Sequence, residues 1–292
     1  MKNKQLYVII TPVRDEIAFI EKTLSSVVQQ TLKPLKWIIV DDGSTDGTDA
    51  VLDRFAAEHP WISVIHRKNR GFRANGSGVM DAFYAGFALV EQTEWDFVVK
   101  LDGDLSFAPN YFECCLAKFA ADPYLGIGGG TVCEDVQGSL CVESAGDPPF
   151  HVRGATKIYR RPCWEQISPL IKAPGWDTLD EVRANLLNWS TRTFSDLTLV
   201  QHKPTGSADG PWSNAVKNGK ANYLTGYHPA FMLAKCAKRA LRKPYFIEAI
   251  GLAAGFLTGY AKRLPQSADT ETKRYLQGQQ IRRLLMRPSI YG

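Results

Sequence analysis

The chain is expected to be an α/β protein: a mostly parallel central sheet with helices on both faces, plus a helical C-terminal extension. Three observations predict this. Apolar runs of strand length alternate with segments of helical period through residues 6–102. Three of the apolar runs end in polar clusters: Thr11 to Glu16, Asp41-Asp42, and Asp102 to Asp104. Beyond residue 226 the composition changes to apolar and basic helical patterns.

The elements follow in order. "LYVIITP" (6–12) reads as a buried strand, and "EIAFIEKTLSSVVQQ" (16–30) sets Ile17, Ile20, Leu24, Val27 and Val28 on one helical face. "KWIIVDDGS" (36–44) is a strand ending in a turn. "TDGTDAVLDRFAAEHP" (45–60) opens with capping residues and continues as a helix. "ISVIHR" (62–67) is a strand, 74–92 a helix with small residues early, and "DFVVKLD" (96–102) a strand. This βαβαβαβ order implies parallel pairing, and such sheets bind ligands at the C-terminal ends of their strands. The second half reads as a helix near 110–121, a glycine-rich stretch "LGIGGGTV" (125–132), a strand at 154–161 and a helix starting near Asp180. Residues 1–105, 106–226 and 227–292 are the expected units: the alternating strand–helix half, the mixed half and the extension.

Composition is that of a globular protein, with 45% hydrophobic and 22% charged residues in 292. The six cysteines form no CxxC pair, which argues against a zinc site or a disulfide framework and for free thiols in a reducing compartment. "MKNKQ" leads straight into a strand, so no cleavable signal is expected. Residues 234–292 carry 12 Lys and Arg against 3 Asp and Glu, a charge of +9; the whole chain carries +5, so the rest carries −4. Basic residues Lys238, Arg239, Arg242, Lys243, Lys262 and Arg263 flank a run that is apolar from Phe246 to Ala261 except for Glu248. The run is too short to span a bilayer, which needs about 20 residues, and fits an interfacial segment. The expectation is peripheral membrane contact through 238–263; the alternative is a helical hairpin packed on the domain. Basic residues here are not interleaved with aromatics, so no nucleic acid is expected.

Two carboxylates flanking Gly103 at a strand end can face one hard cation, which could in turn hold a diphosphate. The glycine allows the tight path and leaves room for a ligand. "IITPVRDE", "IIVDDGSTDGT" and "VKLDGDLSF", in that order, resemble the family 2 glycosyltransferases of the GT-A fold over about residues 5–205. The resemblance implies a metal-dependent, inverting enzyme. It would move a sugar from a nucleoside-diphosphate sugar to a glycan or lipid-linked acceptor, in cell-surface polysaccharide or glycolipid synthesis.

Carried over residue by residue, it makes Asp102 and Asp104 ligands of Mn2+ or Mg2+, with Gly103 between them. Thr11, Pro12, Arg14, Asp15 and Glu16 match the first loop, which contacts the nucleotide, and Asp42 the residue that binds the base; Asp41 is structural. Arg73, in "NRGFRANGSG", becomes a diphosphate or ribose contact. Asp180-Glu181 stands where the family has an acidic pair supplying the base that deprotonates the acceptor hydroxyl. The order is reversed here, so either carboxylate could serve; Asp180 is preferred and Asp177 is the weaker candidate. A helix N-terminus favours the ionised form that a base needs. Trp176 could stack on an acceptor sugar and Arg153, with His151, could touch acceptor or diphosphate. His202 stands about where a further metal ligand would be. A cytoplasmic protein, peripheral on the cytoplasmic face of the membrane, is expected. The alternatives are a nucleotidyltransferase, disfavoured because "TPVRDEIAF" has no glycine after the first strand, and a non-catalytic nucleotide- or membrane-binding module.

Overall fold

The structure, a computed structural model, describes residues 5–69, 71, 77–143, 146–203, 210–241 and 245–292. In chain order the elements are β1 (Tyr7–Val13), α1 (Ile20–Val28), β2 (Lys36–Asp41), α2 (Thr48–Glu58), β3 (Ile62–His66), α3 (Ser77–Phe87), β4 (Phe97–Leu101), β5 (Leu105–Phe107), α4 (Tyr111–Ala121), β6 (Leu125–Val136), β7 (Ser139–Val142), β8 (Thr156–Arg160), α5 (Arg161–Ile167), α6 (Trp176–Leu186), β9 (Ser190–Gln201), α7 (Gly210–Leu224), α8 (Pro229–Ala240), α9 (Ile247–Ala261) and α10 (Thr270–Leu284).

The strands form one sheet in the order β3-β2-β1-β4-β8-β6-β9-β5, with β7 on β6. The first four pair in parallel, as the alternating pattern predicts. Beyond β4 the sheet is mixed: β8 runs antiparallel to β4 and β6, while β9 runs parallel to β6. The expectation of a mostly parallel sheet therefore holds for the first half only. Its strands are fully buried runs such as Val8, Ile9 and Ile10, because helices cover both faces. One core layer joins Ile9, Ile20, Leu24, Trp37 and Phe112; the other joins Val8, Ile10, Phe83, Val98 and Trp164.

The glycine-rich stretch is a strand, because its glycines let neighbours approach closely. A Cβ on Gly129 would lie 2.5 Å from the Thr156 carbonyl oxygen and one on Gly130 2.6 Å from that of Leu197. Helix α6 begins at Trp176, four residues before the expected start, with Gly175 as its N-cap at φ 86°.

The extension packs on α7 to form a helical layer whose small core joins Ala215 and Tyr223 of α7 with Met232, Leu252 and Phe256. Helix α9 presses a glycine face onto α7, where a Cβ on Gly255 would lie 2.0 Å from the Val216 carbonyl oxygen. Its other face is open, with Ile250 and Leu257 57% and 62% exposed. Helix α9 is thus both packed and partly uncovered. Among the described residues no helix is long and apolar enough to cross a membrane.

Candidate active site

The parallel half gathers the three polar clusters at one sheet edge. Val13 is level with Asp41, the Asp42 amide donates to the Val13 carbonyl at 2.9 Å, and β1 lies between β2 and β4. Asp104 is buried and its carboxylate accepts one hydrogen bond, from Gln201 Nε2 at 3.0 Å. Burial, then the neighbouring charge of Asp102, pushes the Asp104 carboxyl up to about 7. Asp102 is half-buried and paired with the Lys100 ammonium, which also donates to the Gly154 carbonyl. The strand end therefore concentrates more negative charge than the protein neutralises. Two carboxylates of this kind suit a hard divalent cation that completes its coordination with phosphate oxygens and water. Among the described residues no group of three His, Cys, Asp or Glu side chains could hold a metal.

The His202 ring does not join that pair. Its Nε2 lies 2.8 Å from Ser106 Oγ and its Nδ1 3.4 Å from Lys22 Nζ. The ammonium can only donate, so Nδ1 accepts and the ring is neutral; burial and the Lys22 charge lower its pKa in agreement. The backbone amide of His202 donates to the Asp104 carbonyl at 2.9 Å. Gly103 also serves a purpose other than the expected one. A Cβ there would lie 2.6 Å from Val13 Cγ1, so the missing side chain makes room for the core and not for a ligand.

The first loop is intricately tied. Thr11 is buried and its hydroxyl accepts from Trp37 Nε1 at 2.9 Å, which removes it from the expected nucleotide contact. Pro12 is half-buried beside it. Asp15 holds φ 53°, costly for a non-glycine residue, and is fixed by Ser44 and Thr45. Arg14 donates to Asn69 Oδ1 at 2.9 Å, and Glu16 pairs with Lys203 at 2.6 Å. Asp42 faces Arg67 at 3.0 Å, while Asp41 accepts from Ser44 and His66. Arg73 lies outside the described residues.

The acidic pair on α6 is a different kind of site. Asp180 and Glu181 have wholly buried side chains, and Lys157, buried too, bridges them at 2.8 Å each. Asp180 also accepts from the Tyr159 hydroxyl at 2.6 Å; Glu181 accepts from the Val152 amide at 2.6 Å and faces His151 Nδ1 at 2.9 Å. Burial pushes the Asp180 carboxyl up to about 7 against the pull of Lys157. The surrounding carboxylates outweigh burial and raise the Lys157 pKa, and Glu181 does the same for His151. Neither carboxylate has an open face for an acceptor. Trp176 is buried as well, its ring within 5.6 Å of the Lys100 ammonium and 5.5 Å of that of Lys157, so it offers no stacking platform.

Asp177 differs from its neighbours. It stands in the first turn of α6, half-buried, and among the described residues its carboxylate makes no hydrogen bond or ion pair. It packs over Gly154, whose Cβ would lie 3.3 Å from Asp177 Oδ2. Gly154 also holds Lys100 through its carbonyl, so Asp177 sits one residue's width from the ammonium that pairs with Asp102. Asp177 opens into a cavity of about 1410 Å3 between the sheet domain and the helical layer. Arg153 lines it too, paired with Glu143 at 2.6 Å and near Asp147 at 3.9 Å.

Sequence reasoning missed Lys100 and Lys157. They sit opposite each other in the β4–β8 register, and each like charge is compensated by its own carboxylates. The signal was present: "FVVKL" and "TKIYR" each place a lysine inside a strand whose other residues are apolar or pleated towards the core.

Known proteins bear on this arrangement. Residues 8–144 match the family model described as Glycosyl transferase family 2. The chain is 30% identical over 122 residues to chondroitin synthase of Escherichia coli, covering 42% of this chain and 16% of that protein. It is 35% identical over 101 residues to polyprenol monophosphomannose synthase of Mycolicibacterium smegmatis, covering 32% and 36%. The chain thus spans much less than two thirds of these relatives. A mannosyltransferase from Pyrobaculum calidifontis, solved in complex with GDP-Man and Mn2+, superposes with TM-score 0.56 at 16% identity over 97% of this chain and 81% of that one. S. aureus TarS in complex with UDP gives 0.55 at 14% over 88% and 72%. At such identities the likeness is one of fold. Residues 8–144 are thus similar to glycosyl transferase family 2, and the fold is that of the GT-A glycosyltransferases.

Proposed function

We propose that the protein transfers a sugar from a nucleoside-diphosphate sugar to a hydroxyl of a glycan or lipid-linked acceptor, in one inverting step. The observation that carries this reading is the under-neutralised Asp102–Asp104 pair at the strand ends of a family 2 segment. These two carboxylates would hold Mn2+ or Mg2+, which when bound neutralises charge on the diphosphate as it leaves. The first loop, with Arg14, Asp15 and Glu16, and Asp42 just past β2 frame the nucleotide side. Asp177 is the base: a half-buried carboxylate in the first turn of a helix, without a hydrogen-bond or ion-pair partner among the described residues and facing a cavity. It would take the proton of the acceptor hydroxyl as the oxygen attacks the anomeric carbon. Asp180, Glu181 and Lys157 hold the helix that carries it, since Lys157 also donates to the Asp177 carbonyl.

The uncovered faces of α8 and α9, with Leu233, Leu241, Ile250 and Leu257 beside Lys238, Lys262 and Arg263, support peripheral contact with an anionic membrane.

Melting of the purified protein with a panel of nucleoside diphosphates, each with and without Mn2+, tests the donor side. The expected result is a rise in Tm for one diphosphate that requires metal and vanishes in Asp104→Asn. No rise with any member, in a folded sample, would overturn the transferase reading.

A further inference from the structure

The cavity that receives Asp177 is larger than one sugar needs; sites for small ligands commonly enclose about 300–1,000 Å3. Its far wall comes from α8, outside the segment that matches the family. Three successive cations of α8 face it: Lys235, Lys238 and Arg239. Arg239 pairs with Glu248 at 3.1 Å. Among the described residues neither Lys235 nor Lys238 has a carboxylate within ion-pair distance; Asp147 acts on Lys235 only from farther off, and Lys238 is exposed at the cavity's edge. Lys235 is half-buried, with its ammonium 5.2 Å from the Tyr227 ring centre. Burial and the adjacent Arg239 push it down to about 8, against a weaker opposing pull from Asp147. Tyr227 lines the same cavity and its phenol is raised by burial, by Tyr291 and, more weakly, by Asp147 and Asp177. The Tyr227 ring thus carries Lys235 on the wall of the same cavity that Asp177 lines.

The exposed side of the same helix carries Leu233, 73% exposed, with Leu241, 79% exposed, just past its end. The helix thus sets its cations along the cavity, Lys238 at its exposed edge, beside exposed leucines, and α9 adds Ile250 and Leu257 to the apolar surface. An acceptor that satisfies both faces has a hydroxyl for Asp177, an anionic group of about two charges for α8, and a hydrocarbon tail. Resting on the transferase reading above, we propose that the acceptor is a sugar joined to a lipid through a diphosphate, and that Lys235 and Lys238 bind the diphosphate while the tail lies along α8 and α9.

The test is calorimetric binding to the full chain in EDTA, so that metal-linked binding at Asp102 and Asp104 does not contribute. The probes are farnesyl diphosphate, farnesol and inorganic pyrophosphate. Farnesyl diphosphate should bind, farnesol should not, and pyrophosphate should bind at least tenfold more weakly than farnesyl diphosphate. The double variant Lys235→Gln, Lys238→Gln should weaken farnesyl diphosphate at least tenfold and keep the metal-dependent rise in Tm with the donor diphosphate. If that variant does not fold, Lys238→Glu, at an exposed position, carries the same comparison. Absent binding, equal binding by the variant, equal binding of farnesol, or pyrophosphate binding as tightly as the lipid would each overturn the proposal. Loss of the donor's Tm shift in the wild-type protein would instead overturn the transferase reading, because the probes here are read without donor or metal.

Discussion

Two acidic pairs, Asp102 with Asp104 and Asp180 with Glu181, are close to identical in sequence terms and opposite in physical ones. The first stands at a strand end, with one buried carboxylate that has a single protein donor and a partner tied to Lys100. The second lies inside the core, each carboxylate bonded to Lys157 and to at least one further donor. A carboxylate whose lone pairs are all used stabilises structure; one left short of donors is available to a ligand. Asp177, three residues from the second pair, belongs with the first kind because it makes no protein hydrogen bond among the described residues and faces the cavity.

The sharpest way to break this comparison is turnover. Asp177→Asn should lower kcat by two to four orders of magnitude, the usual range for a lost general base, with donor KM little changed. Asp180→Asn, measured in folded protein, should keep turnover within about tenfold, since its loss costs no base. Initial rates of sugar transfer for both variants decide the matter. Full activity in Asp177→Asn, or a dead but folded Asp180→Asn with intact Asp177, would return the base to the buried pair.

The comparison also shows where sequence reading reaches its limit. The strand-end clusters were legible because β-strand period and the βαβ order fix which ends meet, and side-chain contacts play no part in that. Asp102 and Asp104 fall where that order puts them. The base proposed here, Asp177, is the weaker of the sequence candidates, and the change of preference depends on where α6 begins. Gly175 at φ 86° starts the helix at Trp176, and a four-residue difference turns Asp180 and Glu181 into the core and leaves Asp177 at the first turn. Thr11, Trp176 and Gly103 show contacts that their motif positions did not announce, for a related reason: a motif position says which end of an element a residue occupies, not which way its side chain is used. The cations of α8 were legible only as a charge excess, because which of them turn inward depends on how α8 packs on α9 and on the sheet domain.

The next effect in size is on stability. Lys157→Met should lower the unfolding free energy by about 3–5 kcal/mol, because it strands two carboxylates in the core. Urea unfolding with the m-value held fixed measures it. A loss under about 1 kcal/mol would mean that the pair is already neutral without its lysine, and that the contrast between the two acidic pairs is weaker than the geometry implies.

The smallest effect concerns a third acidic pair, Asp41-Asp42, which lies between these extremes. Arg67 holds Asp42 and cannot lose its charge, whereas His66 holds Asp41 and can. His66 Nδ1 lies 2.9 Å from Asp41 and Nε2 3.0 Å from Asp53; both partners only accept, so both ring nitrogens donate and the ring is an imidazolium. Hydrogen bonding to Asp41, then to Asp53, raises its pKa against a smaller opposing effect of burial. A raised folded pKa means that the stabilisation is complete below the unfolded value of about 6.5 and declines as pH rises through the folded value. The ring is 42% exposed, so solvent screens the effect. Tm should therefore fall slightly from pH 6.5 towards 8 in the wild-type protein relative to His66→Gln, with the two curves parallel at higher pH. Curves parallel across the whole range would show that Asp41 is held without the proton. The β2 end would then resemble the permanently neutralised pair on α6 more than a contact set by pH.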